Sequence, residues 1–127
     1  MTYYNQQVLR IREQYYPKPY IIDRLIQARK LMDQHSGSSI CIDSMSDKVS
    51  LSKFHFIRLF KRCYGRTPHQ YLIERRISEA KILLSKNMSV MDTCFQIGFE
   101  SPTSFSLLFK RYTGLTPSDY RQKSNFR

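Results

Sequence analysis

The sequence predicts an all-α fold: seven helices forming two helix-turn-helix units joined by a long helix, with room for one extra helix at the N-terminus. Three observations carry this. Apolar residues recur at helical spacing and nowhere alternate as they would in a strand. The four Gly and five Pro stand at discrete points, as helix stops and starts rather than hairpin turns. And one sixteen-residue segment occurs twice. FIRLFKRCYGRTPHQY (56–71) aligns without a gap on FSLLFKRYTGLTPSDY (105–120). Nine positions are identical: Phe56/Phe105, Leu59/Leu108, Phe60/Phe109, Lys61/Lys110, Arg62/Arg111, Gly65/Gly114, Thr67/Thr116, Pro68/Pro117 and Tyr71/Tyr120. A single supersecondary unit is used twice.

In chain order, Val8, Ile11 and Tyr15 have helical spacing, so 6–16 is the candidate extra helix, ended by Pro17. Residues 1–19 read as an arm or linker. Residues 20–35 form a helix with Ile21, Leu25, Ala28 and Met32 on one face, ended by the stretch 35–39. Ile42, Met45, Ser46 and Val49 make a short amphipathic stripe. Ser50-Leu51-Ser52 is a tight turn, and Ser52 caps the next helix. There Phe56, Leu59, Phe60 and Cys63, at i, i+3, i+4 and i+7, form the buried face. Gly65 stops this helix, and Thr67-Pro68 starts another.

That next helix, from Pro68 to about Lys86, turns Leu72, Ile73, Ile77, Ala80 and Leu84 inward. At the α-helical rise it is roughly 28 Å long. The second unit repeats the plan. Ser89 caps a short helix bearing Val90, Cys94 and Ile97, with Asp92 in the capping-box position. Gly98-Phe99-Glu100-Ser101 turns into a helix with Phe105, Leu108, Phe109 and Tyr112 inward, and Thr116-Pro117 opens the last helix. The expected division is 20–66 for the first unit, 67–86 for the linker helix and 87–127 for the second unit.

Composition narrows the function. The 21 Lys and Arg against 10 Asp and Glu give a net charge of +11, which attracts polyanions, nucleic acid first. Cys41, Cys63 and Cys94 are odd in number and widely spaced, so neither a zinc motif nor a disulfide framework is expected, and the cytoplasm is the expected compartment. No apolar run is long enough for a membrane span. His35, His55 and His69 are scattered, and no nucleophile-base pattern, metal spacing or cofactor motif emerges. A non-specific architectural or RNA-binding protein is the nearest rival, but it needs no paired recognition helices, and no aromatic strand platform for RNA is present.

In a helix-turn-helix unit the second helix enters the major groove and its N-terminal half meets the base edges. The faces opposite the core hold Phe54, Ile57, Arg58 and Lys61 in the first unit, and Thr103, Ser106, Leu107 and Lys110 in the second. Arg58 is the best candidate for a bidentate contact to guanine. Phe54, Ile57 and Leu107 suit thymine methyl groups, with core or subdomain packing as the competing reading. The repeated pairs Lys61-Arg62 and Lys110-Arg111 lie further along each helix, where they reach the phosphates. Helix starts at Ser52, Ser89 and Ser101, together with Lys53, add phosphate donors. The linker helix can hold the two recognition helices near one turn of duplex, about 34 Å.

These residues resemble the DNA-binding domain of the AraC/XylS family of transcription regulators. The likeness runs from about Tyr20 to Lys123. Its most specific stretch is IGFESPTSFSLLFKRYTGLTPSDYR (97–121), supported by LSKFHFIRLFKRCYG (51–65) and RISEAKILL (76–84). It implies a homeodomain-like seven-helix fold that binds double-stranded promoter DNA in two successive major grooves, commonly as an activator that contacts RNA polymerase, in a bacterium. A monomer on DNA is expected unless another segment dimerises it. By position the base-reading residues fall on Phe54, Ile57 and Arg58, then on Pro102, Thr103, Ser104, Ser106 and Leu107. The chain departs from the pattern at Leu107, where Arg is frequent, and at Ile57, where a polar residue is frequent. It departs also at Pro102, at Ser50 where Gly is common, and at Cys41 where a capping Ser is common. The second unit is therefore expected to bind more through backbone and shape, and the first turn to be looser. Most members carry a sensing or dimerisation domain that residues 1–19 are too short to form, so the expectation is a stand-alone regulator or a C-terminal domain of one.

Overall fold

The computed structural model describes residues 18–34, 36–37 and 42–126. The expected helix over 6–16, His35 and Cys41 lie outside the described residues, as does the Ile42 side chain. All regular structure among the described residues is helical: α1 (Pro19–Gln34), α2 (Ile42–Lys48), α3 (Lys53–Tyr64), α4 (Pro68–Ser85), α5 (Val90–Gln96), α6 (Pro102–Thr113) and α7 (Pro117–Asn125).

The ends of these helices follow from local chemistry. The Oγ atoms of Ser52, Ser89 and Ser101 accept from the backbone N–H three residues on, at 3.2, 3.1 and 3.1 Å. Thr67 and Thr116 do the same for α4 and α7. Each bond satisfies one of the donors that a helix start leaves unpaired. Gly65 and Gly114, at φ 73° and 83°, end α3 and α6 in the left-handed conformation, their N–H groups returned to Lys61 and Lys110 carbonyls.

Two apolar clusters result, and α4 contributes to both. Leu25, Ala28 and Met32 of α1 pack with Met45, Val49, Phe56, Leu59, Phe60 and, from α4, Leu72. Further along α4, Ile77, Ala80, Leu83 and Leu84 pack with Cys94, Ile97, Phe99, Phe105 and Phe109. The repeat extends to ring geometry. Phe56 and Phe60 meet edge-on with centroids 5.8 Å apart, and Phe105 and Phe109 do so at 5.6 Å. Tyr71 and Tyr120, from the helices that follow, close edge-on over Phe60 and Phe109 at 5.7 and 5.3 Å.

Two expected core positions are corrected. Cys63 and Tyr112, placed at i+7 on the inward stripes, are exposed. The chain doubles back at Gly65 and Gly114, so the covered position in the last turn is i+4 from the second Phe. There the Tyr64 ring packs against Phe60, tilted, with centroids 4.7 Å apart. Thr113 occupies the equivalent place and donates its hydroxyl to the Phe109 carbonyl at 2.8 Å.

Candidate nucleic-acid interface

α3 and α6 hold equivalent places in the repeat, each following a short helix and a tight turn. Both turns close alike. The Leu51 N–H returns to the Ser46 carbonyl at 3.0 Å, and the Phe99 N–H to the Cys94 carbonyl at 3.1 Å. The second turn is one residue longer: Glu100, exposed, stands between Phe99 and the capping Ser101, whereas Leu51 leads directly into Ser52.

With the inward faces fixed by the Phe pairs, the remaining faces turn to solvent. On α3, Lys53, Phe54, Arg58, Lys61 and Arg62 are exposed, Phe54 at 77%, while Ile57 is half-buried. On α6, Thr103, Ser104, Leu107, Lys110 and Arg111 are exposed, Leu107 at 67%, and Pro102 and Ser106 are half-buried. Phe54 and Leu107 stand singly among polar and basic residues, and Met91 and Phe95 are exposed elsewhere on the surface, so their exposure alone does not mark a partner. Ser52 is exposed, whereas Ser89 and Ser101 are half-buried, and all three hydroxyls are engaged as caps. Ser104 is tied back to its cap: the Ser101 hydroxyl donates to the Ser104 oxygen at 3.0 Å.

The two faces differ in charge. α3 carries Lys53, Arg58, Lys61 and Arg62, while α6 carries only Lys110 and Arg111 and is preceded by Glu100. Both Lys-Arg pairs stand in the last turn of their helix, where the carbonyl ends favour cations.

Two residues that shape this surface were not singled out in the sequence. Gln70 completes a reciprocal capping box at the start of α4, its Oε1 accepting from the Thr67 N–H at 3.0 Å. A Gln three residues after Thr67 is the signal for it. Arg76 of α4 donates from Nε to the Ser36 carbonyl at 2.7 Å. Burial pulls its guanidinium below the ordinary arginine range. An Arg inside a helical pattern reads as a solvated charge, and the loop that covers it gives no local signal.

Comparison with known proteins agrees with this arrangement. A family described as "Helix-turn-helix domain" matches residues 45–123. The chain is 38% identical over 87 residues to the probable transcription factor PqrA of Proteus vulgaris, covering 68% of this chain and 71% of that protein. It spans 30% to 37% of the length of three further curated regulators that it matches. Among solved structures, the DNA-binding domain of AdpA in complex with a target DNA superposes with a TM-score of 0.75 at 27% identity, over 78% of this chain and 90% of that one. A regulator from Chromobacterium violaceum with an AraC-type DNA-binding domain superposes with a TM-score of 0.73 at 27% identity, over 82% and 94%.

Proposed function

The chain belongs to the AraC/XylS family of DNA-binding transcription regulators, and from that premise we propose that α3 and α6 enter successive major grooves of one promoter duplex. One observation carries the reading. Two helices with the same caps, the same inward Phe pair and the same terminal Lys-Arg pair flank a single helix, α4. Its 18 residues span about 27 Å, close to the roughly 34 Å between successive major grooves on one face of B-DNA.

On this reading Arg58 reads guanine through its planar fork, and exposed Phe54 and Leu107 meet thymine methyl groups, with Ile57 beside them. Pro102, Thr103, Ser104 and Ser106 line the second groove, where small side chains and a hydroxyl already held by Ser101 leave more of the recognition to shape. Lys53, Lys61, Arg62, Lys110 and Arg111 neutralise phosphates, and the starts of their helices at Ser52 and Ser101, with that at Ser89, add backbone donors. The units are 20–66 and 87–127, joined by 67–86, with 1–19 as arm or linker. One copy occupies a site in the bacterial cytoplasm and activates transcription by touching RNA polymerase bound beside it.

Selection of sites from random double-stranded DNA at physiological salt tests the core of this. A motif of two elements about 10 base pairs apart is the expected outcome. Salt-sensitive binding with no motif would replace this reading with an architectural role.

A further inference from the structure

α4 alone is a weak guarantee of how two recognition helices are aimed. A single rod shared by two small cores leaves their relative roll to side-chain packing. A second tie joins the two units directly, loop against loop. The segment Ser36–Gly37, which follows α1, lies against the turn Gln96–Gly98, which precedes α6. The fit is backbone on backbone. A Cβ built on Gly37 would stand 2.6 Å from the Gln96 carbonyl oxygen, and one on Gly98 would stand 2.9 Å from the Gly37 oxygen. Both distances are closer than a real Cβ is found, so each glycine is what permits the approach.

Arg76 pins the three segments together. Its Nε donates to the Ser36 carbonyl at 2.7 Å, and its guanidinium carbon lies 5.9 Å from the Phe99 ring centroid. Its Nη2 lies 3.1 Å from where a Gly98 Cβ would be. Beside the same Arg an open cleft of about 330 Å³ is lined by His69 and Ile73 of α4 and by Phe99, Glu100 and Leu108 of the second unit.

We propose that Arg76 is a positioning residue that fixes the separation and roll of α3 relative to α6, and through them the spacing between the two DNA elements the protein accepts. The inference rests on the two-groove reading above. A one-base-pair change in spacing moves one element by about 3.4 Å and turns it by about 34°. A clasped protein resists that motion, and an unclasped one follows it.

The test measures binding of the full chain to its selected two-element site and to versions with one base pair added or removed between the elements. The variants are Arg76→Met, which keeps the stem and removes the donor, and Arg76→Lys, which restores a cation and a donor. Gly37→Ala attacks the same clasp from the opposite partner and keeps the question answerable if Arg76→Met does not fold. Discrimination between the natural and altered spacings should fall about threefold to tenfold in Arg76→Met and Gly37→Ala, the scale of one hydrogen bond. Arg76→Lys should recover part of it, and binding to a duplex holding the first element alone should stay within about twofold of the parent. A folded Arg76→Met or Gly37→Ala protein with the parent's spacing profile overturns the proposal while leaving the two-groove reading intact. A parent protein indifferent to spacing overturns both.

Discussion

The Tyr71 hydroxyl donates to Asp33 Oδ1 across 2.7 Å, joining α4 to the end of α1. Arg75 approaches the same oxygen at 3.2 Å, and Arg29 reaches Oδ2 at 3.6 Å. Burial first, and the bond to Asp33 second, hold the Tyr71 phenol above its ordinary value of 10. The folded chain therefore keeps a proton that the unfolded chain releases near pH 10. The stability this group contributes is complete below pH 10 and is lost as pH rises through the raised folded value. Urea midpoints between pH 8 and pH 11 should fall more steeply for the parent than for Tyr71→Phe. Parallel curves would show that the phenol does not titrate as the geometry requires. At neutral pH, Tyr71→Phe should cost about 1 kcal/mol. Asp33→Ala should cost more, because it strands the hydroxyl and breaks both ion pairs.

Ser50 and Gly98 occupy the same place in the two turns but not at the same cost. Ser50 stands at φ 57° with a side chain, Gly98 at φ 91° without one. A left-handed conformation costs a non-glycine residue about 1–2 kcal/mol, partly offset by the extra backbone entropy a glycine loses on folding. Ser50→Gly should therefore raise stability by roughly 0.5–1 kcal/mol. Gly98→Ala should lower it by more than about 2 kcal/mol, since its Cβ would also strike the Gly37 oxygen. Thermal melts of both variants decide the matter, and equal shifts of one sign would contradict it.

Those two turns also mark where sequence reasoning reached and where it stopped. The caps at Ser52, Thr67, Ser89, Ser101 and Thr116 and the stops at Gly65 and Gly114 were legible because their chemistry is local. Ser50 in place of Gly leaves the closing hydrogen bond of the first turn intact, at 3.0 against 3.1 Å in the glycine turn, and shows instead as a side chain held at positive φ. Cys63 and Tyr112 were misplaced because periodicity says which residues share a face, not where the next helix stops covering it. Arg76 and Asp33 were invisible for a related reason: each is defined by residues 38 to 42 positions away. The polar side chains proposed to read DNA were legible as a face because the Phe pairs fix its opposite.

Arg58 is exposed in the N-terminal half of α3, between half-buried Ile57 and buried Leu59. If it takes guanine O6 and N7 together, Arg58→Ala should weaken specific binding by about 1–3 kcal/mol and relax preference at one base position. Arg58→Lys should recover only part of this, because an ammonium cannot present the planar fork. Site selection repeated with each variant is the measurement. A sequence profile identical to the parent's would assign Arg58 to the phosphates or to solvent.

Lys110 stands in the last turn of α6 beside Arg111, as Lys61 stands beside Arg62 in α3. A phosphate contact positions the protein without reading sequence, and it releases condensed counterions when it forms. Lys110→Ala should therefore weaken binding to all duplexes by a similar factor and reduce the slope of log affinity against log salt by about one. Lys61→Ala should act in the same way. The double variant should lose about two units of slope, because the two residues sit in different units and neutralise different phosphates. Titrations across a range of salt separate this from a base contact, which would change preference at one position and leave the slope as it was. A double variant losing only one unit of slope would mean that just one of the two helices lies against the duplex backbone.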